Sequence, residues 1–448
     1  MGNTQEPMSS VVERLITKDN LQVALHRAKG PSAQIISWTI KNFTAKGDNY
    51  VSILTGVEIK YQLNDTLSSV SFIAKLGVPQ INQTFCESMN HAFLKECNVY
   101  DEIMPLLNKE LISHGLHRLR VPECYYAVWN PGNQIMYLED LRSRGFQTYD
   151  NKKPLDTAHA TIVVKEIARL HAVSLLIQRK IGYENIDNQF PYLNKDCFDI
   201  TEDVREMAAR LANKHIEETI IALKEFEGYQ KAIQWLTDLK PQAYQTLMKQ
   251  LDNETKFSVF CHGDFWIGNL LFRYDDQRNP VEVMLIDLQQ FRQASLAIDL
   301  KLLFYHSLTG YERASNLAYY LDIYHESFKN LLDSVKLTMP FTREELLEEY
   351  KSKHFYGCFW AMSWLPSLLS ENEDNPFDNY AKDSPQRSEV TPTINSTSIA
   401  AENTAEDSGS FLMTDEEKKK FLLKFKKYPD MTARFLSLFT DIIEGDVN

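Results

Sequence analysis

Val259-Phe-Cys-His-Gly-Asp-Phe-Trp-Ile-Gly-Asn-Leu-Leu-Phe272, completed by Met284-Leu-Ile-Asp-Leu-Gln289, decides how the rest of the chain is read. The first stretch has the pattern of an apolar strand, a polar turn and a second apolar run. The second has that of a strand ending in an acid. Within the turn, His262, Asp264 and Asn269 stand in the order H-x-D-x-x-x-x-N, and Asp287 closes the following strand. Gly, Asp and Asn are common turn formers, so the H-G-D triplet by itself is equally a plain connection. What needs a chemical reading is the whole set at its spacing.

That spacing is the one found in the phosphotransferase catalytic loop, where the Asp accepts a proton from the substrate hydroxyl and the Asn oxygen holds magnesium. Asp287 falls where a second metal-binding acid would sit. Magnesium takes oxygen ligands and usually only one or two from the protein, so one Asp plus one Asn suits it. A chance match would not bring the other parts of such an enzyme in chain order, and the rest of the sequence is read for them.

Val70-Ser-Phe-Ile-Ala-Lys75 is a strand with Val70, Phe72 and Ala74 on one face and Ile73 and Lys75 on the other. It has the form of the V-A-I-K strand, whose Lys binds the α and β phosphates and pairs with a helix Glu. In the helix that follows, Glu96 is centred on an apolar stripe of Met89, Ala92, Phe93, Val99, Tyr100 and Ile103. An acid so placed needs a cation or a proton, and Lys75 is the partner expected. Upstream, Ile36–Ile40 and Val51–Leu63 alternate like strands around the turn Gly47-Asp-Asn-Tyr50. Such a tip can offer backbone N–H groups to phosphates. It holds a single glycine, and taken alone a plain hairpin is the better reading.

Cys124–Trp129 and Gln134–Leu138 form a strand–turn–strand that runs into Glu139-Asp-Leu141, the place of a lobe connector that binds adenine through its backbone. Glu139 and Asp140 read equally as solvated loop acids. Ile162–Leu176 is helical, with His171 as a hydrogen-bonded structural histidine. Asp299, in the helical run Ser295–Tyr305, can brace the catalytic loop by accepting backbone or His262 hydrogen bonds, or serve as an ordinary cap.

A chain of 448 residues fits two lobes with some excess. The net charge of -13 argues against nucleic acid or an anionic membrane as main partner. No apolar run approaches the roughly 18 residues of a membrane span, and Met1–Glu6 has neither the basic region nor the apolar core of a secretory signal. Six scattered cysteines without a C-x-x-C pair suit a reducing, cytoplasmic setting. Residues 10 to 28 have the pattern of one amphipathic helix opened by a Ser10–Glu13 capping box. Residues 316 to 370 are helical and rich in aromatics, with Tyr319, Tyr320, Tyr324, Phe355, Tyr356, Phe359, Trp360 and Trp364 read as core before ligand cage. The Ser-, Thr-, Asn- and acid-rich stretch from 371 to 413 is expected to be a disordered insertion, and Thr414–Glu417 to cap a last helical region.

Hairpin tip, strand Lys, helix Glu, connector, H-G-D with its Asn and strand-end Asp stand in the order of the protein-kinase-like phosphotransferases. In detail the chain resembles the ecdysteroid kinase-like, or CHK kinase-like, family, related to choline and aminoglycoside kinases. The resemblance rests on Gly47–Ser52, Phe93-Leu-Lys-Glu96 with Tyr100, Leu138–Leu141, Leu170-His-Ala172, His262–Trp266 with Asn269, and Ile286–Gln289. It spans about residues 35 to 370, with a further match near Tyr428–Gly445. Two positions depart from it: Leu288 stands where Phe is expected, and Gly268 where a second Asn is common.

The resemblance implies an α+β, two-lobed fold, with a small antiparallel N-lobe holding one key helix and a larger, mainly helical C-lobe. It implies ATP and Mg2+ as cofactors, Asp264 as base, Asn269 and Asp287 as metal ligands, and Lys75 with Glu96 as the phosphate-binding pair. Backbone contacts to ATP are expected from Asn49 and Ser52 in the tip and from Glu139 and Leu141. His262 and Asp299 support the loop. The division expected is an N-terminal helical extension (1–34), N-lobe (35–138), C-lobe (139–370), insertion (371–413) and C-terminal helices docked on the C-lobe (414–448). The acceptor implied is an ecdysteroid or another lipophilic alcohol, with choline or an amino alcohol as alternative. A nucleotide-binding pseudokinase would lack the base, the metal ligand or the lysine, and all three are present.

Overall fold

Three alternating segments form the strands β1 (Gln34–Asn42), β2 (Ser52–Leu63) and β3 (Thr66–Gly77). Asn64 and Asp65 join β2 to β3 with positive φ angles of 46° and 64°, the left-handed pair that matches the twist of a tight hairpin. With β4 (Cys124–Val128) and β5 (Ile135–Glu139) they make one antiparallel sheet in the order β1-β2-β3-β5-β4. This computed structural model describes residues 8–42, 52–77, 83–130, 132–251, 255–370 and 413–444. The Gly47–Tyr50 tip with Asn49, and residues 371–412, lie outside that set.

One face of the sheet is buried and the other is partly exposed, and its period of two decides what each face meets. Phe72, Ala74 and Leu76 of β3, with Ile135 and Tyr137 of β5, pack under α1 (Met8–Leu15) and α2 (Lys18–Lys29). Full burial of a residue such as Phe72 contributes about 2–3 kcal/mol. Ile73 and Lys75 turn to the opposite face, where they pair with Leu138 and Met136 and meet α3 (Gln83–Asn98). The single helix expected over residues 10–28 is two helices. The Thr17 side chain accepts from the Asn20 N–H while Asn20 returns a bond to the Thr17 N–H, and this capping box starts α2 afresh.

After α3 the chain makes a π-helical turn, Val99–Ile103, and α4 (Met104–Ser113). The larger lobe then holds α5 (Thr157–Ile181), the short α6 (Ile186–Gln189), α7 (Glu202–Leu223), α8 (Gln230–Leu239) and α9 (Ala243–Gln250). Two small sheets follow. β7 (Ser258–Cys261) pairs with β10 (Arg292–Ser295), and β8 (Leu270–Tyr274) lies between β6 (Gln147–Thr148) and β9 (Pro280–Leu285). The strands on either side of the His262–Asn269 turn therefore belong to different sheets, which leaves the turn free to project between them.

Helix α10 (Ala297–Ser307) is buried along its whole length, so each polar side chain on it must find a partner inside the protein. Around it stand α11 (Gly310–Ser334), α12 (Arg343–Ser352) and α13 (His354–Leu368). The last helices are α14 (Asp415–Lys427), α15 (Pro429–Leu436) and α16 (Thr440–Glu444). Thr414 and Glu417 cap α14 as the sequence indicates, and Phe425, Phe435, Phe439 and Ile442 enter the same core as α13. Of the aromatic run, Tyr320, Tyr324, Phe355, Tyr356 and Phe359 are core, Trp360 and Trp364 are half-buried, and Tyr319 is exposed, contrary to the core reading. The fold is α+β and two-lobed, a small antiparallel sheet with one key helix beside a larger, mainly helical part. No described helix is long and apolar enough to cross a membrane.

Candidate active site

The buried strand β7 delivers His262 to the start of the turn. Gly263 follows with φ +81°, and a Cβ there would lie 2.0 Å from the Gln290 carbonyl oxygen, so only glycine fits. The Asp299 carboxylate, fully buried in the first turn of α10, accepts from the N–H of His262 (2.7 Å) and of Gly263 (2.9 Å). It also accepts from His171 Nε2 (3.0 Å), which leaves His171 Nδ1 to accept from the Tyr324 hydroxyl (2.7 Å). Asp299 thus takes the bracing role and is no mere cap. His262 donates from Nε2 to the Ile286 carbonyl (2.9 Å) and accepts at Nδ1 from the Asp264 N–H (3.4 Å). Burial holds its basicity below the ordinary histidine value, consistent with that neutral arrangement.

Asp264 comes next, half-exposed, with Asn269 Nδ2 donating both to its Oδ2 (2.9 Å) and to its own carbonyl oxygen (2.8 Å). Crowding by protein atoms and the nearby Asp287 charge push its carboxyl up to about 7, against the Asn269 hydrogen bond. A carboxylate poised there is suited to taking a proton near neutrality.

Lys75, 212 residues from Asp287 in the chain, reaches it at 2.7 Å and reaches Glu96 at 2.5 Å. Glu96 is fully buried. Burial raises its carboxyl and the Lys75 ammonium opposes that rise, while its second oxygen accepts from the Leu288 N–H (3.2 Å). Burial opposes the charge on Lys75, but the two carboxylates outweigh it and hold the ammonium above the ordinary lysine range. Asp287 sits just past β9 with φ +66°, a conformation uncommon outside glycine. Gln289 donates to its other oxygen (3.2 Å). Leu288, where Phe is expected, is buried and keeps its backbone bond to Glu96.

The structure thus brings together Lys75, Glu96 and Asp287 in one group, and His262, Asp264, Asn269 and Asp299 in another, with His262 bound to the residue before Asp287. Ser52 opens β2 opposite Gly77, and no described hydrogen bond joins it to either group. In the connector, the Glu139 N–H donates to the Glu123 carbonyl (2.8 Å) and its carboxylate accepts from Arg144 (3.1 Å). Leu141 is buried with Phe146 and Met284, and Leu271 and Ile286 pack half-buried against them. That apolar patch runs from the connector to the residue before Asp287. Sequence reading missed it, although strand pairing sets Leu271 of β8 beside Met284 of β9 on it.

With its nitrogen committed to Asp264, Asn269 keeps its amide oxygen for a cation, and the Asp287 carboxylate is 27% exposed. These hard oxygen donors fit a magnesium ion. A second cluster does not suit a metal. His171, Cys261 and Asp299 have ligand atoms within 4.8 Å of one another. There, however, Asp299 already serves three donors, both ring nitrogens of His171 are used, and the Cys261 thiol donates to the Ala294 and Ser295 carbonyls.

The family model of the ecdysteroid kinase-like family matches residues 46–337, more than half of the chain. The protein belongs to the ecdysteroid kinase-like family. Among solved structures, this ecdysteroid kinase-like chain is similar to a Plasmodium vivax ethanolamine kinase at 11% identity. That match covers 85% of this chain and 94% of the other, with a TM-score of 0.37. It is similar to a glucosamine kinase at 12% identity, with 80% and 82% covered and a TM-score of 0.34. No curated protein sequence matches the chain.

Proposed function

We propose that the protein is an ATP- and magnesium-dependent small-molecule kinase that phosphorylates a hydroxyl of a lipophilic alcohol, ecdysteroid-like in character. The observation that carries this reading is the Lys75 ammonium held between Glu96 and Asp287 beside a turn that presents Asp264 against Asn269. Phosphoryl transfer asks mostly for positioning and charge neutralisation, and this set supplies both.

In this reading Lys75, oriented by Glu96, binds the α and β phosphates, and Asn269 and Asp287 hold the ion. Bound magnesium would neutralise charge on the phosphates. Asp264 takes the proton of the acceptor hydroxyl, and Asp299 keeps its turn in place through the His262 and Gly263 amides. The Leu141, Leu271 and Ile286 patch beside the Glu139–Leu141 backbone would hold the adenine. Six free thiols, five of them buried, suit a cytoplasmic setting.

The choice of a neutral acceptor over an amino alcohol is supported by what flanks the turn. Cys197 is hydrogen-bonded to Gln290, whose carbonyl packs on Gly263, and the next residue, Phe198, stacks 5.8 Å from Trp360. The two carboxylates in that stretch, Asp196 and Asp199, are paired with Arg292 and Arg205, which reduces what they offer to a substrate ammonium.

The test is transfer from labelled ATP, with magnesium, to a panel of sterols, amino alcohols and aminoglycosides. Transfer to the sterols is expected, with Asp264→Asn slower by about a thousandfold and nucleotide binding retained. Transfer confined to amino compounds would overturn the acceptor assignment. Undiminished turnover in Asp264→Asn would overturn the role of the base.

A further inference from the structure

In protein kinases, the helix that carries the lysine's glutamate is positioned partly by a phosphorylated activation segment. Here no A-P-E-ending segment follows Asp287, yet α3 is docked with its glutamate on the lysine. The residues that hold it lie elsewhere. Lys95, next to Glu96 on α3, has a fully buried side chain whose Nζ donates to the Lys195 carbonyl oxygen (2.6 Å). His91, one helical turn earlier, donates from Nε2 to the same oxygen (3.3 Å). On the other side of Glu96, the Tyr192 hydroxyl donates to Glu102 in the π-helical turn (3.0 Å).

The far side of this loop is tied just as firmly. Asp196 is paired with Arg292 of β10, both nearly buried, and the Arg292 strand position faces Cys261, the residue before His262. The Cys197 thiol donates to Gln290 Oε1 (3.3 Å). Burial and the neighbouring Arg292 charge bring the Lys95 ammonium down to about 8, with Asp196 opposing. A lysine kept there at that cost, where Met or Leu would fill the helix face, has a use beyond packing.

We propose that Lys95 is a positioning residue, and that the Tyr192–Cys197 loop is a built-in brace that fixes α3 against the strand segment following Asp287. The connections close a ring. Lys75 joins Glu96 to Asp287, and Lys95, the loop and Arg292 join the same two elements by a second route. This second route adds to the Leu288 N–H bond that Glu96 accepts, and opposes a pivot of α3 at the π-helical turn, a common place for functional irregularity. With both, the Lys75–Glu96 pair forms without phosphorylation of the chain. The inference rests on the proposed kinase reading only for what the brace is used for; the brace itself is a mechanical statement.

The experiment is hydrogen exchange by mass spectrometry on the full chain, comparing wild type, Lys95→Met and Tyr192→Phe, with Mg·ADP affinity measured beside it. Lys95→Met keeps the length and apolar character of the buried stem. Losing a hydrogen bond to a charged donor corresponds to roughly tenfold, so peptides covering α3 are expected to exchange about ten times faster. Peptides of α5 and β7 should keep their wild-type rates, and Mg·ADP should bind several-fold more weakly. Tyr192→Phe should act in the same direction and less strongly. Equal acceleration over the whole chain would make Lys95 an ordinary stability residue and overturn the proposal, as would unchanged exchange in α3. A wild type that binds no Mg·ADP, with α3 loosened in Lys95→Met, would keep the brace and remove the kinase reading.

Discussion

Asp299→Asn is the sharpest test of how the His262–Asn269 turn is held. The wild-type carboxylate accepts from His262 N–H at 2.7 Å, Gly263 N–H at 2.9 Å and His171 Nε2 at 3.0 Å, with no exposure to water. An asparagine keeps one acceptor oxygen and turns an NH2 toward a donor. At least one charge-assisted bond, worth about 1.5–3 kcal/mol, is lost and one buried N–H is left unpaired at a further ~1–3 kcal/mol. Placement of Asp299 in the first turn of α10 adds about 0.3–1 kcal/mol of helix-dipole stabilisation that the amide forgoes. The expected total is about 3–7 kcal/mol, read as a lower urea midpoint at unchanged slope. Hydrogen exchange should show the loss concentrated in the peptide from Ser258 to Asn269. A variant within about 1 kcal/mol of wild type, with that peptide equally protected, would refute the bracing role.

Gly263→Ala should cost at least about 3 kcal/mol and stop turnover. The new Cβ meets the Gln290 carbonyl at 2.0 Å on a backbone with φ +81°; thermal melts and a transfer assay check it. Glu96→Gln should weaken Mg·ADP binding by about tenfold in titration calorimetry, because Lys75 would then be held by Asp287 alone. Affinity equal to wild type would count against the phosphate-binding role of the pair. Lys301 on α10 is fully buried against Tyr350, 3.8 Å from its ring centre, and burial brings its ammonium from 10.5 down to about 7. Between those values the unfolded chain binds a proton that the folded chain does not, so stability should rise with pH from about 7 toward 10.5. Lys301→Met should abolish that slope and stabilise the protein at pH 7 by up to about 4 kcal/mol. A pH dependence unchanged in the variant would show that another group sets it.

Much of the candidate site was legible because its chemistry is local in the chain. Strand alternation places Lys75 opposite Phe72 and Ala74, and helical spacing centres Glu96 on a stripe that buries it, whatever the rest of the fold does. The H-x-D-x-x-x-x-N pattern likewise needs one turn, and Asn269 duly meets Asp264 at 2.9 Å. The break between α1 and α2 was missed because a Thr17 cap weighs little against a continuous apolar pattern.

Long-range closure was decided only in three dimensions. His171 and Asp299 are 128 residues apart, Lys75 and Asp287 are 212 apart, and Lys95 and Lys195 are 100 apart. No periodicity links such positions, and a buried polar residue announces only that it needs a partner. The sequence by itself determined which candidate groups are present, among them a turn Asp with its Asn, a strand Lys and a helix Glu, because residue type and local spacing are written in the chain. Which of them meet, and what braces α3, was left to tertiary structure, because the partner of a buried charge is chosen by packing.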